Sequence, residues 1–183
     1  MRRHIPILAG LSILMTTAIG CDRAAPAAAP QEAKGTEDLA SQVKALKELV
    51  PDQAHIMADV GNHFTNLWFA GKAENWPLAD FYLGETKSHL KWAVRAKPIR
   101  KDDAGRDVNL PGILEAFENS QLTQLKQAVD HKDMAAFERV YKESLTICYA
   151  CHVASSKPYL RPQIPTKPES AIINFDPKAD WPR

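Results

Sequence analysis

Net charge, long apolar runs and cysteine are all in short supply in this chain. The formal net charge is +1, and no basic stripe with interleaved aromatics offsets it, which argues against a nucleic-acid binder. The one long apolar run, from Ile5 to about Ala18, is too short for a comfortable membrane span. Neither a strand-like alternation nor an internal repeat appears, so the periodicity that remains is helical. Cysteine occurs three times, at Cys21, Cys148 and Cys151. A closed structural zinc site normally wants four ligands, and no second Cys/His pair with finger spacing is present. A thioredoxin-like dithiol would want a strand-to-helix context in an α/β pattern, which is also missing.

What is present begins with "MRRHIPILAGLSILMTTAIGC". Two arginines, an apolar run and small residues before a cysteine form the layout of a secretory signal. "AIGC" resembles the lipobox of bacterial lipoproteins, which implies that Cys21 becomes the lipidated first residue of the mature chain. A plain signal peptide, or an uncleaved anchor, ending in cysteine is the alternative. Asp22 fits the enterobacterial rule for retention in the inner membrane, so the expected location is the periplasm, anchored to that membrane. "DRAAPAAAPQEAKG" then reads as a tether.

With Cys21 assigned to the anchor, Cys148 and Cys151 form one CxxC followed directly by His152, in "CYACH". C-x-x-C-H is the signature of c-type haem attachment, and an exported chain suits it, since bacterial haem attachment takes place outside the inner membrane. On a helix, residues three and four apart share a face. Two thiols would thus project towards haem vinyl groups and one imidazole towards iron. Asp130 is the expected N-cap of this helix, with Asp133 in its first turn. Met134, Phe137, Tyr141, Leu145, Cys148 and His152 continue a core stripe, so His152 is expected to point inward as the proximal ligand.

The rest of the chain reads as helix. Leu39, Val43, Leu46 and Val50 make one face of a first stretch from about Glu37 to Leu49, and Pro51 interrupts it. Ala54, Met57, Val60, Gly61, Phe64, Leu67 and Trp68 form the apolar side of the next, which stops near Gly71. A third carries Pro77 in its first turn and ends before Pro98. A polar loop, "IRKDDAGRDVN", leads to a helix with Ile113, Leu114, Phe117, Leu122, Leu125 and Val129 inward. The expected fold is all-α, an antiparallel four-helix bundle with an extra N-terminal helix and an extended C-terminal tail. The expected organisation is a lipoprotein signal over 1–20, a flexible tether over 21–35, a helical haem-binding domain over 36–160, and a Pro-rich tail over 161–183.

A single CxxCH on the last helix of such a bundle resembles cytochrome c′ and its low-spin, methionine-ligated relatives, over roughly Pro51 to Tyr159. Most class I cytochromes c place the motif near the mature N-terminus instead. "HFTNLWFAGKAENWPLADFYLGETK" and "RPQIP" also look like a group of small exported haem proteins without an assigned role. The resemblance implies one covalent haem c and a distal residue on the first bundle helix, methionine in the low-spin members and often apolar in the five-coordinate ones. At 100° per residue, Met57 falls near the centre of the stripe, His63 roughly 110° to one side and His55 about 160° away. Met57 is therefore the expected sixth ligand and His63 the alternative, while packing in the core is what a methionine on such a face does without a haem.

Trp68, Trp76, Phe64 and Phe69 suit either a haem wall or plain bundle core, and His89 and His131 read as ordinary surface or capping residues. Lys87, Lys91, Arg95, Lys97, Arg100 and Lys101 form a positive end, either a solvated face or a docking surface for an acidic redox partner. Two functions follow from the axial ligand. The first is an electron carrier serving a redox partner protein at the membrane, and not an enzyme. The alternative is binding of nitric oxide or carbon monoxide at a five-coordinate or weakly capped iron. A haem enzyme would want a distal acid/base pair and a substrate pocket, which the sequence does not offer. Oligomeric state is left open, a homodimer included.

Overall fold

The computed structural model describes residues 31–180, with side chains from Thr36 onward. The expected signal over 1–20 and the anchor Cys21 lie outside the described residues. The described chain is mostly helical, and none of its helices is long and apolar enough to cross a membrane. It divides into two units whose boundary falls between Lys44 and Ala45. Helix α1 (Gln31–Leu49) begins in the first unit and ends in the second. The stripe read from the sequence, Leu39, Val43, Leu46 and Val50, is exposed at every position.

The second unit is built from helices whose ends are set by local chemistry. Helix α2 (Gln53–Lys72) starts at Asp52, whose carboxylate accepts the His55 N–H at 3.0 Å. Helix α3 (Trp76–Ala96) starts at Asn75, whose side chain accepts from Leu78 N, with Pro77 in the first turn and Pro98 just past the end. Between them Glu74 takes a left-handed φ of 55°. Its N–H reaches the Gly71 carbonyl and that of Asn75 the Ala70 carbonyl, the paired bonds of a Schellman cap.

The segment expected as a polar loop is instead a short antiparallel hairpin, β1 (Ile99–Lys101) and β2 (Asp107–Asn109), with Arg100 opposite Val108. Asp102 makes the turn. Its carboxylate accepts from Ala104 N and Arg106 N, and Gly105 supplies the positive φ of 76° that the tight connection needs. Strands of three residues carry too little alternation to be seen in the sequence.

Helix α4 (Leu110–Phe117) is capped by Asn109 and runs through a π-helical turn, Glu118–Leu122, into helix α5 (Thr123–His131). The wider turn keeps Phe117, Leu122, Leu125 and Val129 all buried. Lys132, with φ 56°, closes α5 by a second Schellman cap, and Asp133 then caps helix α6 (Met134–Ala154) by accepting from Ala136 N. The N-cap of α6 is thus Asp133, not Asp130. Asp130 still belongs to α5 and pairs with Lys126.

One hydrophobic core joins α2, α3, α4–α5 and α6 through Phe64, Leu67, Trp68, Tyr82, Leu83, Phe117, Leu125, Phe137, Val140 and Tyr141. Each such side chain contributes about 1.5–3 kcal/mol on burial. Phe64 stacks on Tyr141 at 4.3 Å between centroids and Trp68 on Phe137 at 6.2 Å, so α2 and α6 run antiparallel. Gly71 permits this approach, since a Cβ there would lie 2.3 Å from the Phe137 ring.

The C-terminal tail has no helix, yet it is docked. Asn66, fully buried on α2, accepts from Glu169 N and Ser170 N and donates to Ser170 Oγ at 2.9 Å. Farther on, Phe175 packs against Phe69 and Tyr82 while its carbonyl accepts from Asn75.

Candidate functional site

The C-terminal end of α6 carries the residues singled out in the sequence. Its buried side chains stop at Ser144, and from Leu145 onward the helix is half-buried, Cys148, Cys151 and His152 included. Helix α6 closes with a third Schellman cap. Ser156 takes φ 59°, its N–H reaches the Val153 carbonyl, and the Lys157 N–H reaches the His152 carbonyl at 2.8 Å. This reversal folds the following residues back along the helix. Tyr149 donates its hydroxyl to the Pro158 carbonyl, and His152 donates its Nδ1–H to the Leu160 carbonyl at 2.8 Å. His152, expected to point into the core, is half-buried and tied to the segment after its own helix.

That bond decides the tautomer. A carbonyl can only accept, so the proton sits on Nδ1 and the Nε2 lone pair is left for a metal, the second-shell pattern of ligating histidines. Cys148 and Cys151 are free thiols. Burial pushes Cys148 up to about 12, with the neighbouring Cys151 adding to the shift, and burial raises Cys151 as well. Thiols held neutral in this way are poor redox nucleophiles, which weighs against a dithiol role. Cys148, Cys151 and His152 also fail to converge on one point. Among the described residues, only His63, Glu85 and His89 bring three potential donor atoms within 4.8 Å of one another. Cys148, Cys151 and His152, spread in this way, are not the convergent set that a single structural zinc ion takes.

The surroundings of this end are aromatic on the core side. Tyr141, two turns before Cys148, donates its hydroxyl to the Phe64 carbonyl at 3.0 Å, and burial raises its pKa. Trp68 lies 4.8 Å from the Tyr141 ring, and Trp76 meets Phe137 edge-on. Phe64, Trp68 and Trp76 are therefore core residues, while Phe69 lies against Phe175 of the tail. An open cleft of about 330 Å³ flanks α6, lined by Leu145, Thr146, Tyr149, Arg161 and Pro162.

The candidates for a distal ligand separate clearly. His55 is exposed and bonded to Asp52 at the start of α2. The buried side of α2 runs through Ile56, Val60, Phe64, Leu67 and Trp68, while Ala54 and Gly61 are exposed. Met57 is consequently half-buried at the edge of the stripe, with Ile56 fully buried beside it. His63 turns to α3, with its ring 6.1 Å from Tyr82 and 4.7 Å from His89. Its Nδ1 is buried without a hydrogen-bond partner, and burial followed by the nearby His89 lowers its pKa. His89, read from the sequence as an ordinary surface residue, is half-buried and donates Nδ1–H to the Glu85 carbonyl at 3.0 Å. Nothing in the sequence linked these two histidines, which lie on different helices.

The positive end is partly satisfied internally. Lys91 pairs with Glu118 at 3.1 Å, Lys101 with Asp107, and Arg100 donates to Gln53 at 2.6 Å. In comparisons with protein-family models, curated proteins and solved structures, nothing matches this chain.

Proposed function

We propose that this protein is an exported, lipid-anchored c-type cytochrome that carries electrons, with one haem c held by Cys148 and Cys151 and with His152 as proximal ligand. The observation that carries this reading is the Nδ1–H of His152 given to the Leu160 carbonyl, at the end of a CxxCH whose thiols are both free. The fold supports it. Helices α2, α3, α4–α5 and α6 around one core suit an antiparallel four-helix bundle with the motif on its last helix, the arrangement of cytochrome c′.

When bound, the haem supplies a one-electron change between ferric and ferrous iron. Each cysteine would hold it by adding S–H across a vinyl C=C, so that S–C and C–H bonds form and nothing leaves. His152 would hold the iron from one side, with its ring direction kept by Leu160. The layer of Phe64, Trp68 and Tyr141 excludes water from the core side. Phe64 lies opposite Tyr141, and the helices are antiparallel, so Met57 comes level with Cys148. By the same count, at 1.5 Å per residue, His63 lies about 15 Å from the level of His152. Met57 is thus the better placed distal ligand, and a redox partner protein at the membrane would take the electron.

One observation favours gas binding instead. Ile56, not Met57, is the fully buried residue on this part of α2, and an apolar distal residue leaves the iron open to nitric oxide or carbon monoxide. Absorption spectra of the oxidised and reduced protein, with and without carbon monoxide, separate the two. The carrier reading expects a low-spin haem that takes up carbon monoxide slowly, and a Met57→Ala variant that is high-spin and takes it up fast. A wild-type protein already high-spin and fast would transfer the function to gas binding. The absence of a haem spectrum would end both.

A further inference from the structure

We propose that His63, Glu85 and His89 bind one divalent transition-metal ion of the zinc class, at a site between α2 and α3 that is separate from Cys148, Cys151 and His152. These three residues are the convergent group among the described residues, with donor atoms within 4.8 Å of one another. A second, independent observation points to a ligand. Among the described residues, His63 Nδ1 is the buried side-chain polar atom left without a partner, although buried polar groups are normally satisfied. The third observation concerns His89. Its Nδ1–H is already given to the Glu85 carbonyl at 3.0 Å, so its Nε2 carries the free lone pair, as the outer partners of metal-bound histidines arrange.

Two imidazoles and a carboxylate are the donor set of zinc sites that keep a fourth position for water, and the set is too poor in oxygen for calcium or magnesium. Zinc distances of about 2.0–2.2 Å in a tetrahedron put ligand atoms about 3.3 Å apart. Closing to that spacing falls to three side chains that are all half-buried, none of them locked in the core. Helices α2 and α3 would be clipped together at this level, next to Tyr82, against which the tail residue Phe175 packs.

The site stands without the haem reading, and its test keeps the two apart. The full mature chain, with any free thiols first blocked by iodoacetamide, is titrated with ZnCl2 in a calorimeter. One zinc per chain is expected. His63→Gln and His89→Gln should each weaken it by more than the roughly 10–100-fold that losing an outer-shell partner costs, while His131→Gln leaves it unchanged. Glu85→Gln, which keeps the shape of the side chain, should weaken it as well. A wild-type chain that takes up no zinc overturns the proposal. So does a Glu85→Gln or His63→Gln/His89→Gln protein that keeps wild-type affinity with an unchanged circular dichroism spectrum.

Discussion

Replacing Asn66 by alanine should free the C-terminal tail while leaving most of the helical unit standing. Asn66 is fully buried, and three of its hydrogen bonds cross to the tail, from Glu169 N, from Ser170 N and to Ser170 Oγ. Each is worth about 0.5–1.5 kcal/mol net, so the docked tail should lose about 1.5–4.5 kcal/mol. The loss is confined to the tail because Glu169 is exposed and Ser170 half-exposed, and their groups regain water once the segment lifts. At about 1.4 kcal/mol per factor of ten, the open population rises about 10- to 1600-fold. Phe175, half-buried against Phe69 and Tyr82, becomes fully accessible in that open form. Chymotrypsin cleavage after Phe175 reads the population directly when opening is fast relative to cleavage. A variant cut at Phe175 within a factor of about two of wild type would refute the claim that Asn66 holds the tail.

Two further substitutions probe the packing and the pH response. Gly71→Ala puts a methyl 2.3 Å from the fully buried Phe137 ring, and should cost about 1–3 kcal/mol in urea unfolding; an unchanged midpoint would mean that α2 and α6 are not held as close as described. Burial lowers the pKa of His63 below 6.5, so below about pH 6.5 the unfolded chain gains a proton that the folded chain refuses, and stability falls as the pH drops through that value. His63→Gln, with a chelator present in both samples, should narrow the difference between unfolding midpoints at pH 7.5 and 5.5; an equal difference would rule out His63 as its source.

The helix ends were legible where the chemistry is local. Pro77 and Pro98 bound α3 as the sequence leads one to expect, because proline sterics involve only neighbouring residues. The start of α6 departs from expectation for a related reason. Lys132 adopts a left-handed conformation without being glycine, which no residue type announces, and it moves the cap from Asp130 to Asp133. On α2 the small residues Ala54 and Gly61 drew the apolar stripe towards Met57, yet both are exposed, since small side chains tolerate either environment. The docking of the tail through Asn66 joins residues about a hundred positions apart, and the approach of His63 to Glu85 and His89 joins two helices. Neither leaves a periodic trace. "CYACH" was legible as a motif at once, but the partner of His152 was not, because it depends on the reversal after Ser156.

The covalent haem proposed at Cys148 and Cys151 is tested by the mass of the peptide that contains both, taken from the denatured and acid-treated protein. This peptide is expected to carry one haem that survives solvent extraction, with neither thiol open to iodoacetamide, and the haem should be lost in Cys148→Ala/Cys151→Ala. A peptide of unmodified mass from protein matured in a cell competent for haem attachment, with both cysteines alkylated in full, would contradict it.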